Sequence, residues 1–137
     1  MATHYTMEEG RSVLASLREI SPDRRLRFTE ALRIAELQAT KLLKLLRVEG
    51  DATPSEVVTE LPRIRVIYRS IPTSGMSYWD GSEWVICINK FEPLTRQRFT
   101  LFHEYKHIVD HGRAERLYAT PQQAEQVADY FAGCALM

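Results

Sequence analysis

His103-Glu104-Tyr105-Lys106-His107 places two histidines four residues apart, with a glutamate directly after the first. On a helix of about 100° per residue, positions i and i+4 lie about 40° apart and one turn along the axis. Both imidazoles can therefore reach one metal ion. Glu104 projects beside that ion, where its carboxylate can take a proton from bound water. The spacing predicts a metal-binding helix in which Glu104 is the catalytic base.

The residues around this motif predict the helix itself and exclude one ligand. A helical pattern runs without a break from about 94 to 110, and Gly112 ends it. His111 lies eight residues beyond His103, which is about 12 Å along a helix axis and too far for zinc–nitrogen bonds near 2.0–2.1 Å. We therefore expect His111 at the rim of the site or behind a ligand.

A tetrahedral zinc ion that keeps one position for water needs a third protein ligand, and Glu125 is the predicted one. It lies on a helix that begins with the capping pattern Thr120-Pro121-Gln122-Gln123 and runs to the end of the chain. Asp129 follows four residues later on the same face, where it can accept the N–H of a ligating imidazole. His103, His107 and Glu125 are thus expected to hold one Zn²⁺ ion, although this donor set also suits Mn²⁺ and Fe²⁺.

Composition indicates a small folded domain and disfavours several functions. The chain has 137 residues and weighs 15.9 kDa, with 45% apolar and 26% charged residues. We expect a single domain over 1–137, with an N-terminal helical part over 1–50 and the metal-binding core over 51–137. Eighteen basic residues balance eighteen acidic ones, which argues against direct nucleic-acid binding because phosphate contacts favour a basic excess.

The sequence shows no targeting signal and uses few cysteines, and both observations indicate a cytoplasmic protein. No stretch approaches the roughly 20 apolar residues of a membrane span, and the first residues lack the profile of a signal peptide. The two cysteines, Cys87 and Cys134, are far apart and form no CxxC pair. We therefore expect neither a membrane partner nor a disulfide-stapled secreted fold.

Local signals predict an α+β fold that has helices on both sides of a small sheet. Caps and prolines predict N-terminal helices over about 6–20, 22–47 and 54–60. Strands are predicted over 64–68, 77–79 and 84–88, and Asp80-Gly81 predicts a hairpin between the last two. We expect one three-stranded, mostly antiparallel sheet.

Helix 22–47 carries an apolar seam and a basic face. The seam consists of apolar residues spaced by three and four, namely Phe28, Leu32, Ala35, Ala39, Leu42 and Leu46. We interpret it as core, with a contact in an oligomer or with a partner as the alternative. Residues 11–47 hold nine Arg and Lys against four acids, which we interpret as a solvated face, with docking to an acidic partner or to DNA as the alternative.

Several segments together resemble a known family. They are Arg98-Phe99-Thr100-Leu101-Phe102-His103-Glu104, then His107 and His111, Glu125-Gln126-Val127-Ala128-Asp129-Tyr130-Phe131-Ala132, Leu136-Met137, Ser77-Tyr78-Trp79-Asp80-Gly81 and Ile86-Cys87-Ile88-Asn89. Over about 54–137 the chain resembles the ImmA/IrrE family of metallopeptidases. The resemblance implies a minimal zincin-like fold of the gluzincin type, with His103, His107 and Glu125 as zinc ligands and Glu104 as the catalytic residue.

The resemblance also implies an activity and a partner. Members of the family are typically endopeptidases that cut a helix-turn-helix repressor of a mobile element or stress response. We expect a substrate strand to add to an exposed edge at Trp84–Ile88. Tyr78 and His111 are candidates for stabilising the oxyanion. The alternative is a non-catalytic regulatory module, similar to those of toxin–antitoxin systems, that docks onto a repressor or antitoxin.

Two departures from the family pattern bear on these expectations. Relatives usually have a small residue before the second histidine, where this chain has Lys106. We expect the lysine to reach solvent without disturbing the site, with crowding of the sheet or repulsion of the metal as the alternatives. Relatives also commonly continue beyond Leu136-Met137, so the sequence is expected to be either a minimal member or a fragment.

Overall fold

The computed structural model describes residues 7–46, 58–59, 61 and 63–137. Within them the elements run in the order α1 (Met7–Ile20), α2 (Phe28–Leu46), β1 (Ile64–Arg69), β2 (Gly75–Trp79), β3 (Trp84–Asn89), α3 (Leu94–Val109), α4 (Ala114–Leu117) and α5 (Pro121–Leu136). The predicted α+β fold is confirmed. The Thr6 cap and most of the predicted helix over 54–60 lie outside the described residues, and α4 was not predicted from the sequence.

The sheet is mixed. Its central strand, β3, lies between β1 and β2 and pairs with them in opposite senses. β2 and β3 form the predicted antiparallel hairpin, whereas β1 pairs with β3 in parallel. The prediction of a mostly antiparallel sheet therefore holds for one of its two strand pairs. Since β3 is paired on both sides, the prediction that a substrate adds to the edge of Trp84–Ile88 is wrong. The outer edges of the sheet belong to β1 and β2.

Side chains at both ends of the hairpin explain this order. The Asp80 carboxylate accepts hydrogen bonds from the backbone N–H groups of Ser82 and Glu83 (2.9 and 2.8 Å), which closes the turn. At the other end, the chain from β1 crosses over the end of β3 to reach β2. Asn89 holds this crossover by donating from Nδ2 to the carbonyls of Ile71 and Thr73 (3.1 and 3.2 Å).

α2 begins at Phe28, six residues later than the predicted start at Pro22. Glu30 accepts a hydrogen bond from the backbone N–H of Arg27 (3.3 Å) and so caps the helix there. The residues before it are held by the C-terminal half of the chain, because the Leu26 N–H donates to the Leu117 carbonyl (2.9 Å). A long-range contact, which no local signal shows, thus replaces the first predicted turns.

The core lies between the helices and one face of the sheet. α2 packs on α1 and α5, and α3 packs on α5 and the sheet. The largest fully buried apolar side chains are Leu17, Leu42, Leu46, Ile86, Ile88, Phe102, Tyr105, Ile108, Leu117 and Phe131. Full burial of a side chain of this size contributes roughly 1.5–3 kcal/mol. The seam of α2 is part of this core from Ala35 to Leu46, which confirms that interpretation.

In the part of the chain that the structure describes, no helix is both long and apolar enough to cross a bilayer.

Candidate metal centre

Neighbouring helices α3 and α5 bring the three predicted ligands together. Nε2 of His103 and Nε2 of His107 each lie 2.8 Å from Oε2 of Glu125, and the two nitrogens are 3.1 Å apart. The histidines lie one turn apart on α3, as their spacing predicts. Glu125 reaches them because α5 begins where predicted, with Thr120 accepting a hydrogen bond from the Gln123 N–H (3.1 Å) and proline at the first position.

The chemistry and spacing of these atoms fit a zinc ion. Ligand atoms at the corners of a tetrahedron around zinc lie about 3.3 Å apart, given bonds near 2.0–2.1 Å. The triangle formed by His103, His107 and Glu125 would need to widen by only about half an ångström to hold one. The Glu125 side chain is 58% exposed, so solvent can approach the cluster from that side.

The electrostatics of the cluster keep its carboxylate ionised. Burial alone would raise the pKa of the Glu125 carboxyl, but the neighbouring His107 and His103 outweigh that effect and hold the pKa below its ordinary value. An ionised carboxylate beside two imidazole nitrogens is the protonation state in which this donor set can bind a divalent cation.

Asp129 sets the orientation of His103. Its Oδ1 lies 2.7 Å from Nδ1 of that imidazole, so a proton on Nδ1 pairs with the carboxylate while Nε2 faces the cluster. Carboxylates commonly play this part for ligating histidines, fixing both the tautomer and the orientation of the ring. The structure therefore places Asp129 where the sequence predicts it.

Glu104 lies between α3 and β2, beside the cluster. The residue is 8% exposed, and its Oε2 is 4.0 Å from Nε2 of His103. Among the described residues, no group donates a hydrogen bond to its carboxylate. The Glu104 carboxylate therefore lies nearly buried at the edge of the cluster, beside Nε2 of His103.

Gly75 allows β2 to approach this carboxylate closely, and sequence reasoning missed it. A Cβ atom at this position would collide with Cγ2 of Thr100 and crowd the Cys87 carbonyl oxygen, and it would contact Cγ of Glu104. A glycine inside a strand is a general sign of such a close approach. The face of β2 that carries Gly75 therefore packs directly against the catalytic candidate.

The Lys106 side chain lies in the core, so the prediction that it reaches solvent is wrong. It is 1% exposed, and its Nζ donates to Oε1 of Gln38 (2.7 Å) and Oδ1 of Asp110 (2.9 Å). Tyr118 completes the network by donating to Oδ2 of Asp110 (2.6 Å). Burial lowers the pKa of Lys106, and the Asp110 carboxylate opposes that shift. The ammonium is thus held on the core side of α3 by acceptors of its own.

His111 and Tyr78 occupy different surroundings. The His111 ring packs edge-on against Trp84, with centroids 4.8 Å apart, beyond the end of α3. That position is at the rim of the site. Successive residues of β2 point to opposite faces of the sheet, and Gly75 and Trp79 are on the face toward α3. Tyr78 is therefore directed to the other face, away from α3. This placement gives no support to an oxyanion role for Tyr78.

The comparisons with known proteins give one match. The family model Peptidase_M78, described as the IrrE N-terminal-like domain, matches residues 60–137. This span includes the sheet, α3, α4 and α5, and with them the whole cluster. No curated protein and no solved structure gives a significant match to the chain.

Proposed function

The chain belongs to the IrrE N-terminal-like peptidase family, and on that premise we propose that it is a zinc-dependent endopeptidase acting on a protein partner. One observation carries the proposal. Two histidine nitrogens and the Glu125 carboxylate converge within 2.8–3.1 Å beside the carboxylate of Glu104, which accepts no hydrogen bond from the described residues.

The residues of the site divide the work of peptide hydrolysis. His103, His107 and Glu125 would hold the zinc ion, which when bound supplies Lewis acidity and lowers the pKa of water. Glu104 accepts the proton of the attacking water and passes it to the leaving amine. Its position at the edge of the cluster, 4.0 Å from Nε2 of His103, supports this role because a general base must lie close to the water that it deprotonates. Asp129 keeps His103 in the tautomer that the site requires.

The free edge of β2 suits an extended substrate. A peptide that adds to this edge forms main-chain hydrogen bonds with the strand and passes directly over Glu104. Such binding depends on an unfolded or loop segment rather than on a small molecule, which supports a protein substrate. The helix-turn-helix repressor that the resemblance implies is the substrate we propose.

Metal analysis and a cleavage assay test the proposal together. Purified protein should contain one zinc ion per chain, and it should convert a helix-turn-helix repressor from the same genome into discrete fragments. Glu104→Gln should retain the metal and still bind the repressor, while cleavage falls by roughly 10²–10⁴. Glu19→Gln, an exposed substitution on α1, is the matched control and should cut normally.

The same assay separates proteolysis from docking. If Glu104→Gln inactivates the repressor as well as the unmodified protein does, the chain acts as a non-catalytic module and the endopeptidase proposal is wrong. Lys106 departs from the family pattern, but it lies on the core side of α3 with two acceptors of its own and so gives no support to the non-catalytic alternative.

A further inference from the structure

A hollow lies beside the metal cluster, between the end of α3, α4 and the beginning of α5. It has two lobes, of about 550 and 460 Å³, that share the residues His107, Ala114, Glu115 and Ala124. Sites for small molecules and side chains have volumes in this range. We call it the α4 hollow. Because His107 forms part of its wall, anything that fills the hollow lies next to the reacting atoms.

The larger lobe of the α4 hollow is lined mostly by small apolar side chains. That lobe is lined by Ala114, Ala119, Pro121 and Ala124, with Tyr118 at one side. Small side chains leave room for a long one. A flexible hydrocarbon stem can cover such a surface while its polar head reaches the rim, as lysine and arginine side chains do.

Nearly every charged group at the hollow is already paired. Asp110 binds Lys106 and Tyr118, and Arg116 donates to Asp23 (2.9 Å). Glu125 belongs to the metal cluster. Glu115 differs from these, since its carboxylate has no hydrogen-bond or ion-pair partner in the described part of the chain. The hollow therefore presents one carboxylate that has no direct partner among the described residues.

The backbone that carries Glu115 is fixed by contacts from the N-terminal half. Arg25 donates from Nη2 to the Glu115 carbonyl and from Nε to the Arg116 carbonyl, both at 2.9 Å. α4 therefore holds its position without a substrate. Because the backbone of α4 is already ordered, a ligand that binds at Glu115 does not have to order this segment.

We propose that the α4 hollow takes a lysine or arginine side chain of the substrate, close to the bond that is cut, and that Glu115 determines this specificity. The stem of the basic side chain lies against Ala114 and Ala124, and its charged head pairs with the Glu115 carboxylate. The inference rests on the proposed endopeptidase function and names the chemical class of residue that the site selects.

Matched peptides test this assignment by two readouts. A peptide mixture digested by the protein first identifies the cleaved position. Peptides with lysine, norleucine or glutamate there are then compared, because norleucine keeps the stem of lysine and lacks its charge. We expect kcat/KM for the lysine peptide to exceed that for norleucine about fivefold, as for a partly exposed ion pair. The zinc-loaded Glu104→Gln protein should show the same preference in Kd by calorimetry.

Variants of Glu115 decide the outcome. Glu115→Gln should abolish the preference for the lysine peptide over the norleucine peptide. Glu115→Lys should make the glutamate peptide the preferred one, whereas Glu19→Gln should leave the preference for lysine unchanged. A lysine preference that survives in Glu115→Gln, or no preference in the unmodified protein, overturns the inference. If the preference appears in binding and depends on Glu115 but no peptide is cut, the specificity assignment stands and the endopeptidase proposal fails.

Discussion

Arg18 caps the C-terminus of α3, and Arg113, which follows α3, caps the C-terminus of α1 in return. Arg18 donates to the carbonyls of Ile108 (2.9 Å) and Val109 (3.1 Å). Arg113 donates to the carbonyls of Arg18 (3.1 Å) and Ser21 (3.0 Å). The last carbonyls of a helix have no partner within it, and a cation near them also interacts favourably with the negative end of the helix dipole. The helix that carries the histidines is therefore anchored to the N-terminal helices.

Removing either arginine should destabilise the protein. We expect Arg18→Ala and Arg113→Ala each to lower the free energy of unfolding by about 2 kcal/mol, because each removes two hydrogen bonds and leaves one carbonyl, that of Val109 or Ser21, without a donor among the described residues. Arg33→Ala, which removes an exposed ion pair with Glu36, should cost less than about 1 kcal/mol. Urea denaturation measures all three. Equal costs for the three variants would show that the reciprocal caps contribute little.

Asp129 should control metal affinity through His103. We expect Asp129→Ala to weaken zinc binding by about 10- to 100-fold, because the imidazole loses the acceptor that fixes its tautomer. Gln126→Ala, an exposed change on the same helix, should leave the affinity unchanged. Competition with a fluorescent chelator gives the dissociation constants. Unaltered affinity in Asp129→Ala would mean that the 2.7 Å contact does not orient the ligand.

Gly75 should tolerate no side chain. Gly75→Ala forces β2 away from Thr100, so we expect a loss of about 1–3 kcal/mol in unfolding free energy and a lower rate of cleavage. Adding Thr100→Ser removes the colliding methyl group and should recover part of both losses. Gly133→Ala is the matched control, since space around that helical position is open and alanine there should stabilise by up to about 1 kcal/mol. Thermal unfolding and peptide cleavage report the two effects.

Glu30 should titrate at unusually low pH. Its hydrogen-bonded ion pair with Arg24 lowers the pKa of the carboxyl from 4.5 to about 2, against the opposing effect of burial and with help from the Arg27 N–H. Because the folded-state pKa lies below the unfolded one, this contribution to stability is complete above pH 4.5 and is lost as the pH falls toward 2. Carboxyl-carbon NMR should show the pKa rising in Arg24→Ala and unchanged in Arg33→Ala.

The cluster was predictable from the sequence because its geometry is mostly local. The i, i+4 spacing of His103 and His107 fixes their relation on any helix. The cap at Thr120 sets where α5 begins, and a short connection makes α3 and α5 neighbours. With those constraints in place, Glu125 and Asp129 reach the histidines from adjacent turns.

The features that sequence reasoning missed depend on partners far away in the chain. The start of α2 is set by contacts with residues near Leu117, and the position of β1 by a crossover that Asn89 holds. Neither leaves a local signal. Gly75 did leave one, but its meaning depends on Thr100, which lies in another element.

The lysine between the two histidines makes α3 specific to its own chain. Its ammonium requires Gln38 of α2 as well as Asp110. Lys106, Gln38 and Asp110 can therefore be transferred to another chain only together. Grafting α3 together with Asp110 into a relative without an acceptor at the α2 position would leave the buried ammonium one acceptor short, which costs about 1–3 kcal/mol. Recombination between homologues should therefore succeed when the N-terminal helices and α3 are inherited from the same parent.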